Sequence, residues 1–155
     1  MLAAARGELT HALEDLRELA RGIHPAILTD RGLEPAIEAL VARTPVPVEL
    51  EVSSEPLPAA VEAASYYVVA EALTNVVKYA GATAARVRIA RNDGCVVIEV
   101  SDDGAGGADP AQGSGLRGLS DRVAALDGTL SVASPDGGGT AVRAEIPVPG
   151  TSGPS

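Results

Sequence analysis

With 155 residues, 46% of them hydrophobic, the chain holds enough apolar side chains for one domain of ordinary size plus a helical extension, and too few for two full domains. A formal net charge of −9 and only three aromatic residues, Tyr66, Tyr67 and Tyr79, disfavour nucleic-acid binding: polyphosphate is repelled and bases find almost no ring to stack on. The lone Cys95 excludes a disulfide framework or thiolate metal cluster, and with no membrane-length apolar stretch and no leader pattern the piece is expected to be cytoplasmic, without membrane contact.

The first predicted element is a helix over residues 2–23. Leu2, Leu9, Leu13, Leu16, Ala20 and Ile23 follow a 3/4 apolar alternation, broken by Arg6, of the kind that forms a bundle or coiled-coil seam. A lone helix cannot bury such a stripe, so it meets a partner helix or packs on its own domain. A short helix is expected near 33–43. Residues 46–53 read as an edge strand at the domain boundary, where Val46, Val48, Leu50 and Val52 alternate beside Pro45 and Pro47.

An apolar run from Val61 to Tyr79 without internal Gly or Pro predicts a long helix over 58–79. Within it, Glu71-Ala72-Leu73-Thr74-Asn75-Val76-Val77-Lys78 puts a carboxylate, an amide and an amine at i, i+4 and i+7, on one face. Magnesium keeps much of its water and takes few protein oxygens, so one Asn carbonyl beside a water-holding Glu suits it, while Lys78 adds positive charge for phosphate. The alternative is a solvated polar stripe. Against it, Val68, Leu73, Val76 and Val77 spread around the helix, as if much of it were covered.

Strands are expected at 84–91 and 95–101, the second leading into Asp102-Asp103-Gly104-Ala105-Gly106, an acid and two spaced glycines that make a tight turn with exposed amides. An ionised Asp only accepts hydrogen bonds, so Asp102 can take the exocyclic amine of adenine, where guanine offers a carbonyl. A lone copy of this pattern is otherwise an ordinary hairpin turn. Next, Gly113-Ser114-Gly115-Leu116-Arg117-Gly118 opens a helix over 115–127, with Leu116, Leu119, Val123 and Leu126 at helical spacing and Gly128 as its stop. Glycines at a helix start admit an anion to free amides and the positive dipole end, and residues 104–114 can form a lid; alone, this is a flexible loop before a packed helix.

The last strands, 128–134 and 139–147, pair through the turn Ser134-Pro135-Asp136-Gly137-Gly138, which runs on into Gly139 and Thr140. Residues 149–155 are expected to be disordered. With sequence-adjacent strands antiparallel and helices on one face, the fold class is α+β, a two-layer α/β sandwich.

In this order, the four stretches resemble the asparagine box and the glycine boxes of the GHKL superfamily, which includes sensor histidine kinases, gyrase-type ATPases and Hsp90; the resemblance covers residues 45–148. It implies a Bergerat-type fold that binds ATP and Mg2+. By the same likeness, Glu71 is the base or water-holding carboxylate, Asn75 the magnesium ligand beside it, Lys78 a phosphate contact and Asp102 the adenine reader. Gly104, Gly106, Gly115, Leu116 and Gly118 shape the loops around the nucleotide, and Thr140 lies near the adenine.

The Asn-x-x-Lys-aromatic pattern at Asn75–Tyr79 is most similar to the histidine kinases. Upstream, Leu16-Arg17-Glu18-Leu19-Ala20-Arg21-Gly22-Ile23-His24-Pro25 and then Leu28-Thr29-Asp30-Arg31-Gly32-Leu33 resemble the end of the second dimerisation helix and the connector of their nitrate-sensor and lipid-fluidity-sensor branch. Residues 1–30 are therefore expected to be part of a dimerisation hairpin with its connector, 31–148 the catalytic ATP-binding domain and 149–155 a tail. The implied activity is transfer of the ATP γ-phosphate to a histidine on a dimerisation helix. Implied partners are that helix, a response regulator and a second copy in a full-length, membrane-anchored or free kinase.

The departures are specific. The acceptor histidine of this branch normally precedes an acid on the first dimerisation helix, whereas His11 precedes Ala12 and His24 precedes Pro25, which disfavours further helix. The chain thus reads as a piece of a longer kinase, unable by itself to autophosphorylate. Tyr79 stands where this branch commonly has His. Two other readings compete: a different ATPase or serine kinase of the superfamily, and a catalytically silent nucleotide-binding or dimerisation module. The upstream heptads favour the histidine kinase.

Overall fold

The computed structural model describes residues 26–53, 55–107 and 114–148. The expected helix over 2–23, with His11 and His24, and the tail 149–155 lie outside the described residues. Two short helices, α1 (Ala26–Arg31) and α2 (Leu33–Ala42), lead to strand β1 (Val48–Val52) and the long helix α3 (Ala59–Asn75). Then come β2 (Ala85–Asn92), β3 (Cys95–Asp102), α4 (Ser114–Ala124), β4 (Thr129–Ala133) and β5 (Thr140–Pro147).

The helix α1 has no counterpart among the sequence expectations, because six residues with one buried anchor, Leu28, carry no readable period. Gly32, at φ 88°, ends it and donates its N–H to the Leu28 carbonyl at 3.0 Å. In α3, Pro58 precedes the first turn and its carbonyl accepts from the N–H groups of Val61 and Glu62, both at 3.0 Å. No Gly or Pro interrupts α3, but after Asn75 the chain widens into a π turn, Val76–Ala80, closed by Gly81 in the left-handed region at φ 57°.

The five strands form one sheet in the order β1-β2-β3-β5-β4. The expectation that sequence-adjacent strands pair antiparallel holds for β2–β3 and β4–β5; it fails for β3 and β4, between which β5 inserts antiparallel to both, and for β1, which pairs with β2 in parallel. For β1 the reason is the intervening helix: α3 carries the chain back along the sheet before β2 begins, as a parallel crossover requires. By contrast, β2 and β3 are joined by Asp93-Gly94 alone, at φ 45° and 79°, the two positive values of a tight hairpin turn.

Strand alternation separates the two faces of the sheet. Val87 and Ile89, Val96, Ile98 and Val100, and Val142, Ala144 and Ile146 are buried under the helices, against Val61, Val68, Val69 and Leu73 of α3, Ile37 of α2 and Val123 of α4. Across the other face the register aligns Glu51, Arg88, Glu99 and Arg143 in one row of alternating charge. Arg88–Glu51 and Arg143–Glu99 pair at 3.7 and 3.3 Å. Exposed pairs each contribute at most about 1 kcal/mol, but a one-residue slip would turn the whole row into the core, so they secure register.

Candidate functional site

Asp102 is the last residue of β3 and shares the parity of Val96, Ile98 and Val100, so its side chain lies on the helix-covered side of the sheet. It pairs with Ala85 at the start of β2 and with Thr140 at the start of β5. Thr140 has the parity of Val142 and is half-buried beside it, its hydroxyl 2.7 Å from that of Ser134. Asp102, expected to read adenine, and Thr140, expected near the base, are therefore direct cross-strand neighbours on one face. Asp102 Oδ1 accepts from the Gly104 N–H at 2.8 Å, which fixes the carboxylate; Oδ2 has no partner among the described residues.

Asp103 turns the other way. Its carboxylate accepts from the N–H groups of Thr83 at 2.8 Å and Ala84 at 3.0 Å and from the Thr83 hydroxyl, while its own N–H donates to the Ala84 carbonyl at 3.3 Å. The Thr83 hydroxyl, then the two amides, hold the carboxyl below the ordinary carboxylate range.

The glycines after Asp103 are anchored on the opposite side. Gly107 donates to the Ser134 carbonyl at 2.9 Å and Gly137 donates to the Ala105 carbonyl at 2.6 Å, stitching the 104–107 loop to the β4–β5 turn. A Cβ on Gly106, at φ 69°, would lie 1.9 Å from the Pro135 carbonyl oxygen, and one on Gly139, at φ 73°, would lie 2.1 Å from the Asp102 carbonyl oxygen. Only glycine permits both approaches. Gly104 serves through its amide.

Glu71 and Asn75, both half-buried, stand at i and i+4 on the last α-helical turns of α3, as the spacing predicts. The Asn75 side-chain amide makes no hydrogen bond to another described residue. Lys78 lies exposed within the π turn, whose wider coil does not keep the regular i+7 spacing. Phosphate contact by Lys78 would then rest on the reach of its long side chain.

The helix α4 packs on α3 and on the sheet through Leu119 and Val123. Leu116 is buried too, so it faces the core and can meet a ligand only through its backbone. The helix ends in a Schellman pattern: Gly128 donates to the Val123 carbonyl at 2.9 Å and Asp127 to that of Ala124 at 3.0 Å. The left-handed residue is Asp127, at φ 60°, and not the expected stop Gly128. Gly128 is needed for space, since its Cβ would lie 2.6 Å from the Glu145 carbonyl oxygen. Gly118 borders open space, with nothing within 4 Å of where a Cβ would sit. The Arg122 guanidinium lies 4.2 Å over the Tyr67 ring and ties α4 to α3.

Topology brings these parts to one end of the sheet. That end carries the start of β2, the end of β3, the β4–β5 turn and the start of β5. Nine residues, 76–84, join the end of α3 to β2, and Asp127–Gly128 deliver α4 to the far end, so the start of α4 points back toward the loops. Glu71, Asn75, Asp102, Gly104, Gly106 and Thr140 gather there, with Gly115 at the head of α4. A fixed carboxylate oxygen, a spare Asn amide and glycine backbones fit a purine nucleotide with a divalent ion held largely by water and phosphate. No three His, Cys, Asp or Glu side chains converge among the described residues, so a metal would draw few protein ligands. Sequence reading passes over Asp103 with Thr83, the Gly139 approach and the Arg122–Tyr67 contact, because each partner lies far away in the chain.

A mixed sheet with its helices on one face, and an acid, an asparagine and glycine loops at one end, defines an ATP-binding domain of the α+β class. The chain belongs to the family of histidine kinase-, DNA gyrase B- and HSP90-like ATPases, which residues 60–150 match. It is 36% identical over 151 residues to the sensor histidine kinase NarS of Mycobacterium tuberculosis, covering 90% of this chain and 35% of that protein. It is 33% identical over 144 residues to the sensor histidine kinase MctS of Rhizobium johnstonii, covering 85% of this chain and 31% of that one. The chain thus spans about a third of the length of these relatives. Among solved structures, the blue-light activated histidine kinase of Erythrobacter litoralis superposes with a TM-score of 0.66 at 25% identity, over 76% of this chain and 41% of the other. These likenesses make it a catalytic fragment of the sensor histidine kinase type. No helix among the described residues is long and apolar enough to cross a membrane.

Proposed function

We propose that this chain binds magnesium-ATP at the Asp102 end of the sheet and presents the γ-phosphoryl group to a histidine on a dimerisation helix, within a homodimeric kinase that feeds a response regulator. Residues 31–148 form the catalytic part, and residues 1–30 belong to the dimerisation hairpin and connector. The observation that carries the reading is Asp102. One oxygen is fixed by the Gly104 amide and the other has no partner among the described residues, beside Thr140 on the helix-covered face.

Asp102 Oδ2 accepts the exocyclic amine of adenine; guanine would set a carbonyl against it, at a cost of about 1–3 kcal/mol. Thr140, held by Ser134, borders the base. Asn75 supplies a carbonyl ligand to magnesium, and Glu71 holds a water or takes the proton of the attacking imidazole. Lys78 and the amides at the head of α4 meet phosphate oxygens. Bound magnesium supplies charge neutralisation for phosphoryl transfer, and the side chains supply position.

The test uses labelled ATP and a separately supplied peptide carrying an acceptor-histidine helix. Acid-labile label on the peptide is expected. Free phosphate in its place would make the chain a hydrolase of the same family, and neither product would make it a silent nucleotide-binding module. The unaided chain is expected to leave itself unlabelled.

A further inference from the structure

We infer that Asp103 is a positioning residue that sets the phosphate and metal end of α3 against the adenine reader. The inference deepens the nucleotide reading above and rests on it. Asp103 is bonded covalently to Asp102 and, through four hydrogen bonds, to Thr83 and Ala84. Those two residues close the link that runs from Asn75 through the π turn and Gly81 to β2.

Beyond buried Val76 at its start, much of this link is exposed. Gly81 is left-handed and borders open space, the π turn is a wider coil than the helix it continues, and Lys78 and Val77 within it are exposed. Thr83 and Ala84, both exposed, make their hydrogen bonds in this link to Asp103. On the far side of Ala84, the Ala85 N–H donates to the Pro47 carbonyl at 3.0 Å, so the start of β2 is independently secured. Asp103 is therefore the tie between a rigid sheet end, where Asp102 reads the base, and a looser segment that places Asn75 and Lys78. An alternative role as a mere turn cap would affect stability and leave the magnesium-dependent part of nucleotide binding alone.

The test is calorimetry of adenylyl imidodiphosphate with and without magnesium on the whole chain, for the parent protein and for Asp103→Ala, Asp103→Asn and Thr83→Ala. Asp103→Ala is expected to weaken binding about tenfold with magnesium and less than about twofold without it. Asp103→Asn, whose amide oxygen still accepts from a backbone N–H, should recover part of the loss, and Thr83→Ala should show a smaller loss of the same magnesium-selective kind. If Asp103→Ala does not fold, the Asn and Thr83 variants decide. Unchanged affinity, or an equal loss with and without magnesium, overturns the positioning role. Asp102→Asn, run alongside, separates the two claims: a parent protein whose binding ignores that change removes the site itself, whereas one that responds to it while ignoring Asp103 removes only the tie.

Discussion

The two ends of β3 are both Asp-Gly turns, and they behave differently. At the start, Asp93-Gly94 reverses the chain in two residues, and among the described residues its outside bond is the Val148 N–H donating to the Gly94 carbonyl at 2.8 Å. At the other end, Asp102–Gly107 reaches sideways to Thr83 and Ala84 on one flank and to Ser134–Gly139 on the other. Local chemistry is the same: small residues, positive φ, short polar side chains. The difference is that one turn reverses the chain, whereas the other is braced from two distant segments and still keeps a carboxylate oxygen without a partner among the described residues.

The contrast breaks most sharply at the glycines. Gly139→Ala forces a methyl into the Asp102 carbonyl and should cost roughly 3 kcal/mol or more, with nucleotide binding lost. Gly94→Ala meets nothing closer than 3.8 Å, so only its left-handed backbone is strained; it should cost about 1–2 kcal/mol and leave binding intact. Thermal unfolding and calorimetry on the two variants check this. Asp102→Asn keeps an acceptor for the Gly104 amide but can turn an NH2 toward the base. ATP affinity should fall by about five- to 150-fold, with the preference over GTP narrowed, measured by competition.

Smaller effects sharpen the comparison. Arg122→Ala removes the contact over Tyr67 and should cost about 0.5–1 kcal/mol, a fall of about 1–4 °C in the unfolding midpoint. The smallest concerns acid. Because the folded carboxyl of Asp103 lies below its ordinary value of 3.8, it contributes stability above that value and loses it as pH falls through the folded one. The stability gap between the protein and Asp103→Asn should be constant well above the ordinary value of 3.8 and close as pH falls below it, measured by denaturation across that range.

Much of the fold is legible in the residues themselves. Alternation at Val87–Ile89 and Val96–Val100 marks the strands, and the uninterrupted run around Tyr67 marks α3. The direction of β1 is not legible, because a parallel pair is defined by where a helix returns the chain, and the strand's own residues are silent on that. The π turn is equally hidden: Val76–Ala80 has nothing in its composition to separate it from α-helix, so i+7 spacing does not describe the coil that carries Lys78. At the site, Asp102 and the glycines announce themselves by type, while their partners do not. Thr83 reads as a loop residue, Pro135 as a turn, Arg122 as a solvated charge; each acquires meaning only when the sheet brings it next to Asp103, Gly106 or Tyr67.

Cys95 opens β3 on the charge-bearing face, half-exposed, at the end away from Asp102. Seven strand steps separate the two, about 23 Å. As the sole thiol of the chain, it offers a unique attachment point for a dye, far enough from the proposed purine site to leave it undisturbed and near enough for energy transfer to a fluorescent ATP analogue bound there.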